Sequence, residues 1–231
     1  MTKIAILQSC YVPWKGYFDI IGSVDAFIVY DDVQYSKNHW HNRNLIKTQH
    51  GPKWLTIPVS KPDSGFANID DMRITQPFAA RHIQSIRQAY ARAPHFEAEW
   101  PMVAHLYAQA EAMASLSQVN LLFLEAISDR LGFRTGFVSS ATLDAAGSKT
   151  DRLLEICQRL GATQYLSGPS AQSYLDVDKM ARAGISVEWM NYSGYPVYPQ
   201  LHGAFDPAVS ILDLLFNVGP AARDYMKASR T

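Results

Sequence analysis

The chain of 231 residues sets 21 Lys and Arg against 21 Asp and Glu, with 48% hydrophobic and 18% charged residues, the composition of an ordinary globular protein rather than a disordered or fibrous one. Zero formal net charge supplies no field toward nucleic acid or an anionic membrane, so nucleic acid is excluded as an expected partner and any anionic ligand must be read by a local patch. Cys10 and Cys157 lie far apart without CxxC spacing, and no segment reaches the ~18 apolar residues of a membrane span, so a reducing cytoplasm is the expected location.

Lys3 to Leu7 is a short apolar run followed by the turn-prone Gln8 to Pro13, and Ala26 to Tyr30 is a second run ending at Asp31-Asp32; both read as buried strands. Between them Tyr17, Phe18, Ile20 and Ile21 fall within two turns, the spacing of a short crossover helix between parallel strands. Asp31 to Gly51 is polar and reads as a long loop at the end of the second strand. Trp54 to Val59 is predicted as a third strand, closed by Pro58 and the turn signal Pro62-Asp63-Ser64-Gly65. From Pro77 the period becomes helical, over Phe78 to Tyr90, Val103 to Met113 and Leu116 to Leu131. Alternation then returns: a β-like run at Phe133 to Val138, a helix at Lys149 to Leu160, and strands at Thr163 to Leu166 and Ile185 to Trp189 around a helical stretch near Asp178 to Ala183. Pro207 to Met226 reads as two helical segments parted by Gly219-Pro220. The expectation is one α/β domain over residues 1–231, with a mainly parallel sheet and a mostly helical insert at about 77–131.

Ligands of such sheets bind beyond the carboxyl ends of the strands, which singles out Gln8 to Gly16, Asp31 to Lys47, Ser139 to Asp151 and Ser167 to Tyr174. In the second segment Asp31 and Asp32 can bind Mg²⁺, orient an amine or act as a base, and Lys37, Arg43 and Lys47 can grip phosphate. Tyr35 and Trp40 are more than a solvating loop needs, although a capped, solvated loop is the competing reading. His39 and His41 would share one face of an extended chain, but no third ligand has recognisable spacing, so no metal site is assigned. Trp14, Gly16 and Tyr17 open a helix, where a glycine lets backbone N–H groups approach an anion; the competing reading is a tight turn with both rings in the core. The position resembles the nucleotide-binding turn of HIGH-type nucleotidyltransferases, without its histidines, which makes a Rossmann-like, nucleotidyltransferase-like sheet the expected type. Lys149 enters an amphipathic helix without the GxxxxGK[ST] string of a P-loop, so an ordinary capped helix competes there. Ser167-Gly168 follows a strand and can hold a sugar or merely turn the chain, and Gln200 is the polar exception in an aromatic stretch. No GxSxG, HExxH, GxGxxG or kinase signature occurs, so the serine hydrolase, zincin, NAD-dehydrogenase and kinase readings lose most of their support. Cys10 is a nucleophile only if His39 or His41 serves it, and a buried free cysteine is the commoner case.

Taken in order, Gln8 with Pro13-Trp14-Lys15-Gly16-Tyr17-Phe18, Asp31 through Asn38 with Trp40 and Asn42-Arg43-Asn44, Lys149 through Leu160, Tyr165-Leu166-Ser167-Gly168, Tyr198-Pro199-Gln200 and Ser210 through Asn217 resemble the WbqC-like protein family. Leu7 and Ser9 depart from it, standing where the family pattern has His and Pro around the glutamine. The resemblance implies a product of an O-antigen or other surface-polysaccharide gene cluster, transferring glycine or another small acyl group to the amine of a nucleotide-linked amino sugar. On that reading Asp32 acts as base or orients the amine, supported by Asp31 and His39, while Lys37, Arg43 and Lys149 hold phosphate. Asn42, Asn44 and Gln200 hydrogen-bond the sugar, and Gln8, Trp14, Gly16, Tyr17, Gln34, Tyr35, Trp40, Ser167 and Gly168 complete the substrate-binding set. ATP and Mg²⁺ are required only if the amino acid is activated in the same site. The alternative is a non-catalytic nucleotide-sugar-binding or scaffold protein, and the oligomeric state, homodimer included, stays open.

Overall fold

The computed structural model describes residues 2–62 and 65–228, so Asp63 and Ser64 of the predicted turn lie outside the described residues. The chain runs β1 (Lys3–Leu7), α1 (Lys15–Gly22), β2 (Ala26–Val29), β3 (Arg43–Thr48), β4 (Gly51–Thr56), β5 (Val59–Ser60) and β6 (Arg73–Ile74). Three helices follow, α2 (Ala79–Tyr90), α3 (Phe96–Ala110) and α4 (Leu116–Arg130). Then come β7 (Gly136–Ser139), α5 (Thr150–Arg159), β8 (Gln164–Ser167), α6 (Val177–Arg182), β9 (Ser186–Trp189) and α7 (Ile211–Val218), with a 3-10 turn over Gly219–Tyr225.

Five strands form one sheet in the order β7-β2-β1-β8-β9, and every neighbouring pair is parallel. A parallel sheet is covered on both faces, which is why its strands are near-continuous apolar runs. Ile4, Ile6, Ile28 and Tyr165 point to one face, packed by Leu153, Ile156 and Met180 of α5 and α6. Ala5, Phe27, Val29 and Leu166 point to the other, against Phe18 and Ile21 of α1 and Phe123 and Ile127 of α4. The chain departs from β1 in both directions, to β2 and β7 on one side and to β8 and β9 on the other. The connections therefore diverge between β1 and β8 and leave a crevice at their carboxyl ends.

The predicted loop from Asp31 to Gly51 is corrected by the structure. β3 and β4 form an antiparallel hairpin with Arg43 opposite Thr56 and Thr48 opposite Gly51, outside the main sheet. Alternation is masked because Asn44 and Lys47, at 4% and 6% exposure, are polar residues turned inward. The predicted strand at Trp54 to Val59 is likewise the end of this hairpin together with β5, which pairs with β6. Helix α3 begins at Phe96 rather than Val103 and accommodates Pro101. On α1, the fully buried Asp19 accepts hydrogen bonds from the backbone N–H groups of Lys227 (2.9 Å) and Ala228 (2.8 Å), fixing the last described residues to the first helix. Among the described residues no helix is long and apolar enough to cross a membrane.

Candidate functional site

The turn after β1 is held from many sides. Val12 has φ 39°, a left-handed conformation that a β-branched residue adopts only when its surroundings impose it. Asn44 of β3 imposes it, donating from Nδ2 to the carbonyls of Tyr11 (3.0 Å) and Val12 (3.1 Å). The Tyr11 N–H donates to the Trp40 carbonyl at 3.0 Å. Its phenol belongs to a buried chain whose direction follows from one end. The Thr56 carbonyl can only accept, so His82 Nε2 donates to it (3.2 Å), and Nδ1 of the neutral ring accepts from Tyr11 (2.9 Å), which in turn accepts from Tyr107 (2.5 Å). Burial pushes the His82 pKa down to about 4, keeping that ring neutral. Ser9 is fixed as firmly: its N–H donates to Asp31 (2.8 Å), its hydroxyl accepts from Asn120 (2.9 Å) and its carbonyl accepts from His41 Nδ1 (2.9 Å). Burial lowers the His41 pKa.

These brackets shape a crevice of about 440 Å³ between the ends of β1 and β8, bringing together Gln8, Tyr17, His39, Lys149, Ser167 and Gly168. Tyr30, Tyr165 and Tyr174 also line it. Lys149 stands immediately before α5 with φ 50°, another left-handed non-glycine residue, and its side chain lines one edge of the crevice. The Tyr17 phenol donates to the Gln8 carbonyl (2.8 Å), and burial pushes the Tyr17 and Tyr165 hydroxyls above their ordinary range. Burial, reinforced by the Asp31 charge, pushes the Cys10 thiol up to about 12, so it stays protonated at neutral pH and is a poor nucleophile. Among the described residues no carboxylate lines the crevice, and His39 is the lining imidazole that can serve as a general-base candidate.

The other predicted site residues fall elsewhere. Trp14, Trp40 and Asn44 line a separate pocket of about 340 Å³ that shares Cys10 and Tyr17 with the crevice. Gln34, Tyr35, Lys37, Asn42 and Arg43 line a hollow of about 770 Å³ between the 34–43 segment and β5. There the Arg43 guanidinium lies 4.3 Å from the Trp54 ring centroid. Asp31, Asp32, Gly16 and Gln200 line none of these three cavities. Asp31 and Asp32 face different partners: Asp31 binds the Ser9 N–H and Ser117, whereas Asp32 forms an ion pair with Arg152 and accepts from Ser140 at 2.5 Å. Neighbours in extended chain point to opposite sides, so the two carboxylates brace two different elements instead of forming one acid pair. Gln200 accepts from Lys47 (2.6 Å) and donates to the Asp206 carbonyl (2.9 Å), which ties down its own loop. Gly16 acts indirectly, because a Cβ there would collide with the Trp14 indole. Pro207 and Ala208 line the smaller pocket without any signal in the sequence, arriving from a loop nearly two hundred residues downstream.

The crevice lies where the connections of the parallel sheet diverge, the place at which α/β sheets bind ligands. The chain belongs to the WbqC-like protein family, which it matches over residues 8–225. It is similar to the uncharacterized protein Rv1507c of Mycobacterium tuberculosis (strain ATCC 25618 / H37Rv), at 45% identity over 233 residues and the full length of both chains. No solved structure matches it.

Proposed function

We propose that this protein transfers a small acyl or aminoacyl group, glycine included, to the amine of a nucleotide-linked amino sugar in surface-polysaccharide biosynthesis. The observation that carries the reading is the crevice between β1 and β8, which Lys149 at the entrance to α5, Ser167, Gly168 and His39 line together. The diphosphate lies against Lys149, and the sugar hydroxyls against Ser167, Ser170 and Gln8. The amine nitrogen attacks the carbonyl carbon of an already activated acyl donor. A C–N bond forms, the bond to the leaving group breaks with its electron pair, and His39 takes the amine proton. The outward strand order from β1 supports a Rossmann-like, nucleotide-binding sheet, and the family match over residues 8–225 supports one α/β domain.

The test is calorimetric titration with UDP- and dTDP-linked amino sugars, followed by mass spectrometry of acyl transfer. Lys149→Ala is expected to weaken binding roughly tenfold, the scale of one charge-assisted contact. His39→Ala should keep binding and lose on the order of 10²-fold in turnover. Absence of binding by either nucleotide sugar overturns the reading. The engagement of both Asp31 and Asp32 with protein partners favours a second reading, a nucleotide-sugar-binding protein without catalysis, for which binding without turnover is the expected result.

A further inference from the structure

The 340 Å³ pocket beside the crevice differs from it in chemistry. Its walls are the rings of Trp14, Tyr17 and Trp40 with Pro13, Pro207 and Ala208. The side-chain polar atoms of Asn44, Tyr17 and Cys10 at its edge are already engaged. The Asn44 amide donates to the Tyr11 and Val12 carbonyls and accepts from the Leu45 N–H at 2.8 Å. The Tyr17 phenol is committed to the Gln8 carbonyl, and the Cys10 thiol is turned to that same carbonyl at 3.9 Å. A nucleobase placed here would surrender its edge hydrogen bonds to water and find no acceptor and at most the two indole N–H donors in return, a penalty of about 1 to 3 kcal/mol for each group left buried and unsatisfied. A hydrocarbon incurs no such penalty and gains from every methylene removed from water. The volume is about twice that of the ~150 Å³ dry cavity able to take benzene. Because Cys10 and Tyr17 line both spaces, a ligand whose polar part lies in the crevice can pass an apolar tail directly into this pocket.

We infer that this pocket is an aliphatic subsite that receives the hydrocarbon part of the transferred acyl group, so that the protein acts on acyl groups larger than glycine. The inference rests on the acyl-transfer reading for the identity of the tail, while the apolar subsite stands on its own geometry. Gly16 maintains it, since the absent Cβ leaves room for the Trp14 indole to form one wall.

Two titrations test it. In the first, the unmodified protein is titrated calorimetrically with straight-chain alkanols of four to eight carbons, and separately with adenosine and thymidine. Affinity is expected to rise with chain length with a negative heat-capacity change, and to vanish in Ala208→Phe, which fills the pocket from an exposed loop position and should melt like wild type. Binding of the nucleosides in place of the alkanols, or of neither, overturns the subsite. In the second, UDP-glucosamine and its N-acetyl, N-butanoyl and N-hexanoyl derivatives are compared, with an expected gain of about fourfold per methylene that Ala208→Phe abolishes. A flat series among derivatives that do bind overturns the acyl assignment. Alkanol binding without any UDP-sugar binding leaves the subsite standing and defeats the proposed function, so the two failures are distinguishable.

Discussion

Protonation of His82 is expected to undo the anchor beneath the β1 turn. The ring is 5% exposed, its two nitrogens are used by Tyr11 and the Thr56 carbonyl, and its pKa falls from an ordinary 6.5 to about 4. Between those two values the unfolded chain binds a proton that the native protein refuses, so lowering the pH favours unfolding. At about 1.4 kcal/mol per pKa unit, this one group removes about 2 kcal/mol of stability by pH 5 and about 3 kcal/mol by pH 4, and nothing at pH 7.5. Urea unfolding at pH 7.5, 6 and 5 should be run on wild type and on His82→Gln, which keeps hydrogen-bonding capacity without titrating. The variant is expected to be the less stable protein at pH 7.5, with the gap narrowing by about 2 kcal/mol on reaching pH 5. His41, also lowered by burial, contributes to both proteins alike and cancels in the difference. A gap that stays constant with pH refutes the neutral, buried imidazole.

Asp31→Ala should cost about 2 to 3 kcal/mol in urea unfolding, since it strands the buried Ser9 N–H as well as Ser117. Arg152→Ala leaves Asp32 with Ser140 alone and is expected to cost about 1 to 3 kcal/mol; a double-mutant cycle with Asp32→Asn should show coupling, and additivity would refute the ion pair as a brace for α5. Lys149→Gly relieves a left-handed backbone and should raise stability by roughly 1 kcal/mol while weakening nucleotide-sugar binding, an opposition that denaturation and calorimetry read separately. Gly16→Ala is expected to displace the Trp14 indole, costing about 1 to 3 kcal/mol in thermal unfolding and shifting tryptophan fluorescence.

The sheet was legible in the sequence because parallel strands covered on both faces are apolar throughout, as Ile4, Ala5 and Ile6 are, and each lies next to a helical period. The β3–β4 hairpin was hidden for the opposite reason: Asn44 faces inward to hold Tyr11 and Val12, and Lys47 to reach Gln200, so polar letters occupy buried positions. Lys149, Ser167, Gly168, Gln8 and Tyr17 were found by position at strand and helix ends, and these residues do meet at one crevice. The partners of Asp31 and Asp32 were not legible, because a carboxylate ending a strand is as useful for bracing a neighbouring backbone as for chemistry, and composition does not distinguish the two uses. Pro207 and Ala208 carry no chemical signature, and their place in the pocket depends on a long-range approach that no local pattern records.

The buried Asp19 has a consequence for the order in which the molecule is made. Its two backbone partners, at Lys227 and Ala228, are 208 and 209 residues downstream. During synthesis helix α1 therefore leaves the ribosome long before the groups that satisfy its carboxylate, and β1 likewise awaits β8 to cover one of its edges. A chain halted before residue 227 would lack both backbone donors to the carboxylate of its first helix. The opening βα unit thus acquires these contacts only after some two hundred further residues have been made, which places this part of its packing among the contacts of highest sequence separation in the fold.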